Sequence, residues 1–134
     1  MTGLVIKLKP NEKLLINGII LQNGDRTARL RIRSDDVAVL RASDAIPPEE
    51  VKTPLTRIYY IAQLALAGEA EHEEAAGQIE KGLSDIAPIF EKTHPEEIQR
   101  AISGARERKF FIVMRTLKTL FSHEKVLLEL KGAA

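Results

Sequence analysis

The stretch LLINGIILQNGDRTARLRIRS, residues 14–34, decides how the first third of the chain folds. Two short apolar runs, Leu14-Leu15-Ile16 and Ile19-Ile20-Leu21, flank Asn17-Gly18. A two-residue Asn-Gly loop suits the type I′ turn, which needs positive φ at both central positions, so the segment predicts a hairpin. Asn23-Gly24-Asp25 signals the next turn. TARLRIR then alternates, with Ala28, Leu30 and Ile32 on the inner side and Arg29, Arg31 and Arg33 on the outer one. Three arginines on one side of one strand fit either a solvated face or a phosphate-binding one.

Working outward, LVIKL at 4–8 also alternates: Leu4, Ile6 and Leu8 share one face, and Val5, Lys7 and Lys9 the other. KPNEK turns the chain towards residue 14, and VAVLR follows Ser34-Asp35-Asp36 as a fifth strand. The expected product is a five-stranded antiparallel meander over the first 41 residues.

Pro47-Pro48 within ASDAIPPEEVKTP excludes both a sheet ladder and a helix interior, and so separates strands from helices. Thr53 as cap and Pro54 as first helical residue open a helix that Gly68 closes, spanning about 54–67. Its residues are apolar nearly all round, which predicts burial, here against the apolar face of the sheet. Ala75, Ile79, Leu83, Ile86 and Phe90 predict a second helix over about 71–92 with a kink at Pro88. Pro95-Glu96-Glu97 opens a third helix, ending near Arg106. Phe110 to Phe121 define a last one that trails into VLLEL. The fold class is therefore α+β: an antiparallel β subdomain at 1–46 packed, as one compact unit, against a helical subdomain of about four helices at 47–134.

The formal net charge of +1 hides a segregation. Residues 1–45 balance to +3, residues 46–100 to −6, and residues 101–134 to +4. One part of the molecule is suited to an anion and another to a basic partner, or the segments neutralise one another. Without cysteine there is no disulfide framework and no thiol nucleophile. No secretory signal pattern opens the sequence, and LTRIYYIAQLALA is too short to cross a bilayer, so a cytoplasmic protein without membrane contact is expected.

Catalytic patterns are thin. The sequence holds no Gly-rich phosphate loop, G-x-S-x-G or H-E-x-x-H. Glu69, His72 and Glu73 imitate metal ligands, but AEHEEAAGQIEK reads as an ordinary solvated surface. His94 and His123 stand at helix ends with no nucleophile to serve. Neither enzyme activity, metal nor cofactor is expected. Cations carry the better signal. Lys7, Lys9, Arg29, Arg31 and Arg33 share outward positions, Arg41 ends the fifth strand, and Arg26 sits at a turn tip; arginine forks bind phosphates and stack on bases. Tyr59 and Tyr60 beside Arg57 suit base stacking or, more simply, the core of an apolar helix. Phe110, Phe111, Met114, Leu117 and Phe121 exceed the apolar area that one stripe of a lone helix needs. With Arg115 and Lys118 beside them they read as a surface for a partner or a second copy of the chain.

LKPNEKLLINGIILQNGDRTARLRI, then VLRASDAI and TPLTRIYYIAQLAL, closely resembles the FlbT family of flagellum biosynthesis regulators. The resemblance is dense over residues 6–66 and rests further on mainly on helical character. It implies a post-transcriptional regulator that associates with the 5′ untranslated leader of flagellin messenger RNA and couples flagellin synthesis to assembly. It also implies a functional partner, the small helical protein FlaF. The first 46 residues are loosely similar in pattern to the small CsrA-type translational regulators as well. An adaptor that works through FlaF or flagellin without touching RNA is the rival expectation.

Overall fold

A computed structural model describes residues 4–17, 19–34 and 37–133, the last three as backbone. Five strands come first: β1 Leu4–Leu8, β2 Lys13–Ile16, β3 Ile19–Gln22, β4 Ala28–Ile32 and β5 Val39–Arg41. Two short 3-10 turns, Ala42–Asp44 and Pro48–Glu50, lead to α1 Pro54–Leu66, α2 His72–Phe90, α3 Pro95–Arg106, α4 Phe110–Lys118 and α5 Phe121–Ala133. The class is α+β, with antiparallel strands followed by helices.

The strand order is not that of a meander. β1 pairs with β4 in one sheet, and the other runs β3-β2-β5. Strand patterning explains the split. β1 and β4 alternate apolar with charged residues and can cover only one face. β2 and β5 carry apolar residues on both faces and so lie inside. Ile6, Leu8 and Leu14 form a small core between the sheets, joined by Ile16, Leu30, Ile32 and Val39. On the far side of the inner sheet, Leu40 and Leu15 belong to the helical core. The chain thus stacks β1/β4, then β2/β3/β5, then helices.

Three connections carry the chain between the sheets, β1 to β2, β3 to β4 and β4 to β5, and the first two are turns that the sequence announces. In the first, Asn11 takes φ 62°; in the second, the side chain of Asn23 donates to the carbonyls of Lys9 and Arg26, both at 2.8 Å. Asn11 N donates to Gly24 O at 2.8 Å and Asn23 N to Glu12 O at 2.9 Å, so these two crossovers lie bonded side by side. Asn23-Gly24-Asp25 therefore steps between layers instead of closing a hairpin. The β2–β3 hairpin does form, with Ile16 opposite Ile19 and Asn17 at φ 47°. Gly18 lies outside the described residues, as do Asp35 and Asp36. Asn17 also grips β5: it donates N–H to Ala38 O and accepts Ala38 N on Oδ1.

α1 is capped by Thr53 and closes at Gly68, φ 80°, as its sequence predicts. Its placement differs from expectation. Leu55, Ile58, Tyr59, Ala62 and Ala65 are buried chiefly against α2 and α4, and only β5 reaches α1 from the sheets. A helix apolar nearly all round needs more cover than one sheet edge supplies, and neighbouring helices provide it. Gly82 permits the α1–α2 approach, since a Cβ there would stand 2.8 Å from Ile58 Cγ1. The last helix is two: α4 ends at Lys118, Thr119 and Leu120 turn the chain, and α5 follows. Five α-helices stand where about four are expected. Pro88 sits within α2.

Candidate nucleic-acid interface

The pairing of β1 with β4 assembles the cationic face. Lys7 stands opposite Arg29 and Val5 opposite Arg31, while Leu4, Ile6 and Leu8 face Ile32, Leu30 and Ala28 on the other side of the same ladder. Arg29 and Arg31 are about 7 Å apart along the strand. All of Lys7, Arg29 and Arg31 are exposed, as are Lys9 and Arg26 at the crossover end and Arg33 just past β4. Among the described residues, none of these six cations lies within ion-pair distance of a carboxylate. Like charges directly opposite one another in a ladder are destabilising, so the arrangement favours an anion from outside.

Arg41 does not join this face. It sits on β5 opposite Leu14, pointing between the sheets. Its guanidinium donates to Glu12 Oε2 at 2.7 Å and to Lys7 O at 3.0 Å. The Glu12 carboxyl is held below its ordinary range, first by the backbone N–H of Lys9 and then by Arg41. Arg41 thereby ties inner sheet to outer sheet, a role that strand-end position in the sequence does not reveal.

The apolar set assigned to a partner surface separates in the same way. Phe110, Met114 and Leu117 are buried, because α4 is clasped by α1 and α3, and no partner reaches them. Phe121 is half-buried with its ring 5.1 Å from that of Tyr59. Phe111 and Arg115 remain exposed, and exposed Lys118 is bonded to Asp44 at 2.8 Å. Tyr59 lies in the core and donates its hydroxyl to the carbonyl of Asp44, so it is closed to a nucleic-acid base. Burial, and next the Asp44 carboxylate, raise its pKa to about 12.

The histidines have local duties. His72 meets the carbonyl of Ala65 at 3.0 Å and packs edge-on to Phe110. His94 and His123 pack against each other and against Phe90 with their rings tilted or edge-on. Among the described residues, no group of three His, Asp or Glu side chains is placed to hold a metal ion, and no helix is long and apolar enough to cross a membrane.

Comparison with known proteins agrees with the resemblance. The family model described as Flagellar protein FlbT matches residues 4–128. A "Probable flagellum biosynthesis repressor protein FlbT" from Agrobacterium fabrum is 30% identical over 126 residues, covering 92% of this chain and 82% of that protein. The "Flagellum biosynthesis repressor protein FlbT" of Caulobacter vibrioides is 27% identical over 124 residues, covering 90% and 86% respectively. A relative in Caulobacter sp. strain K31 is 39% identical over 86 residues, 64% of this chain and 65% of that one. No solved structure matches. With both sheets, α1 to α4 and the first half of α5 inside one family match from residue 4 to residue 128, the chain belongs to the FlbT family of flagellar proteins.

Proposed function

We propose that this chain is a non-enzymatic post-transcriptional regulator of flagellin expression that binds the 5′ untranslated leader of flagellin messenger RNA directly. The observation that carries the reading is the outer face of β1 and β4, where Lys7 opposes Arg29 and Arg31 follows, without a described acidic partner. Phosphates would relieve that repulsion, and arginine forks would grip them in pairs. Relatives named flagellum biosynthesis repressors support the biological setting. Message decay, on this reading, needs a recruited enzyme.

The test is a titration of the protein alone against a flagellin leader and an unrelated RNA at several salt concentrations. Direct contact through all six cations gives a slope of log K against log salt of about −4 on single-stranded RNA. Absence of binding at low salt would refute it. A second reading has one observation in its favour: Val126, Leu128 and Leu130 of α5 are exposed apolar residues, suited to a protein contact. Leader binding that appears only with a FlaF-type regulator present would support that adaptor role.

A further inference from the structure

Six aromatic side chains, two Tyr and four Phe, occur in the sequence, and Phe111 is the most exposed of them, at 44%. Tyr59, Phe90 and Phe110 are buried, and Tyr60 and Phe121 are half-buried. Phe111 also stands where three clefts meet. One of about 240 Å³ runs from it to Leu4, Val5 and Ile6 of β1. A second, about 370 Å³, lies between it, Arg100 of α3 and Arg115 of α4. A third, about 300 Å³, extends towards Leu40 and Tyr59.

Charge selects the occupant. Among the described residues that line these clefts, the one carboxylate, Asp44, is engaged with Lys118. Arg100 and Arg115 are exposed and, among the described residues, have no acidic partner. Arg115 follows Phe111 by four residues and so flanks its ring on the same side of α4. Val5 connects this corner to the cationic face, since it lines the first cleft and stands opposite Arg31 in the ladder. An exposed ring between unpaired arginines, continuous with a cationic strip, matches a backbone-tracking groove with a stacking platform.

We infer that Phe111 is a base-stacking platform for single-stranded RNA, with Arg100 and Arg115 as phosphate contacts, so that one strand passes from the outer face of β1 and β4 over Val5 onto α4. This rests on the RNA-binding reading above and adds the helical half to the site. It also selects unpaired RNA, because a base inside a duplex has no free face to offer an aromatic ring.

The chain contains no tryptophan, so Phe111→Trp supplies a single fluorescent reporter at the platform. Single-stranded flagellin leader should quench that fluorescence, and the same sequence annealed to its complement should not. Phe111→Ala should weaken leader binding about tenfold with an unchanged salt slope, since no charge is lost. Arg115→Ala should lower the slope by about 0.7. If wild-type protein binds leader while Phe111→Trp is unquenched and Phe111→Ala binds normally, the platform is refuted and the cationic face alone carries RNA. If Phe111→Ala abolishes a protein complex but spares RNA binding, the cleft belongs to a protein and the inference is overturned. If wild-type protein does not bind RNA at all, the inference falls together with the reading beneath it. Should Phe111→Ala fold poorly, the quenching of Phe111→Trp decides alone.

Discussion

Lys7 stands directly opposite Arg29 in the antiparallel ladder of β1 and β4, a cation facing a cation on an exposed sheet face. Cross-strand neighbours of opposite charge stabilise a sheet and like charges weaken it. The pair therefore works against the fold unless something anionic lies over it.

That conflict separates stability from binding. Arg29→Glu should stabilise the isolated protein by roughly 0.2–1 kcal/mol, because a repelling pair becomes an attracting one. The same change should weaken leader RNA sharply at low salt and flatten the salt slope. Denaturant midpoints and RNA titrations on one preparation check both. A destabilised variant that still binds RNA would mean the face is covered by the protein itself.

Arg41 should behave in the opposite way. Arg41→Ala removes its bonds to Glu12 and Lys7 O and leaves a mostly buried carboxylate without its counter-charge, held by the Lys9 N–H alone, at a cost of about 2 kcal/mol, while the RNA salt slope stays as it was. The pH dependence has a definite sign. Glu12 is depressed in the folded state, so its contribution is present above its unfolded pKa near 4.3 and is lost as pH falls through the lower folded value. Glu12→Gln should accordingly flatten the loss of stability below about pH 4.3, measured by chemical denaturation between pH 6 and 3.

Period and turn chemistry made much of this molecule legible. The alternation in residues 4–8 and 28–32 gave Ile6 and Leu8 as inward and Lys7, Arg29 and Arg31 as outward, because a period of two admits only two registers, whereas Leu4 at the strand end is half exposed. Thr53-Pro54 and Gly68 bounded α1 for equally local reasons. Partner choice between strands was not legible. Asn23-Gly24-Asp25 suits a hairpin as well as a crossover, and only the demand that the apolar residues of β2 be covered on both faces sends β4 to β1. The site was read to the same depth. Lys7, Arg29 and Arg31 follow from alternation, whereas the burial of Phe110, Met114 and Leu117 beside exposed Phe111 depends on how α1 and α3 close on α4. The contact of α1 with α4 joins segments that two intervening helices separate in the chain.

Tyr59 offers a test of the core near α1. Burial raises its pKa to about 12, with the Asp44 carboxylate adding to the effect. A phenol that ionises near 10 when unfolded and near 12 when folded holds its proton more tightly in the native state. Its stabilisation is complete below about pH 10 and disappears as pH rises through 12. In Tyr60→Phe protein, where Tyr59 is the remaining tyrosine, the 295 nm absorbance should rise close to pH 12 and together with unfolding. Titration near pH 10 with the fold intact would place Tyr59 in solvent.

Glu124 is the fastening between the two ends of the helical half. Its side chain is 8% exposed, and Oε2 accepts the backbone N–H of Leu55 at 3.0 Å in the first turn of α1. A carboxylate at a helix N-terminus satisfies an orphan donor and complements the positive end of the dipole. The other neighbours of α5 are Tyr59 against Phe121, Phe90 and His94 against His123, and Leu127 at the margin of the core. Loss of this one acceptor should therefore loosen α5 as well as the start of α1. Glu124→Ala should destabilise by about 1–2 kcal/mol, and Glu124→Gln by less, since the amide oxygen still accepts while the charge is gone. Amide hydrogen exchange gives the sharper reading. In Glu124→Ala protein, Leu55 N–H and the amides of residues 124–130 should exchange faster, while those of β1 and β4, in the outer sheet, should keep their wild-type rates. Unchanged protection at Leu55 would mean that Thr53 alone holds the start of α1, and unchanged protection in α5 would mean that Phe121, His123 and Leu127 suffice to dock it.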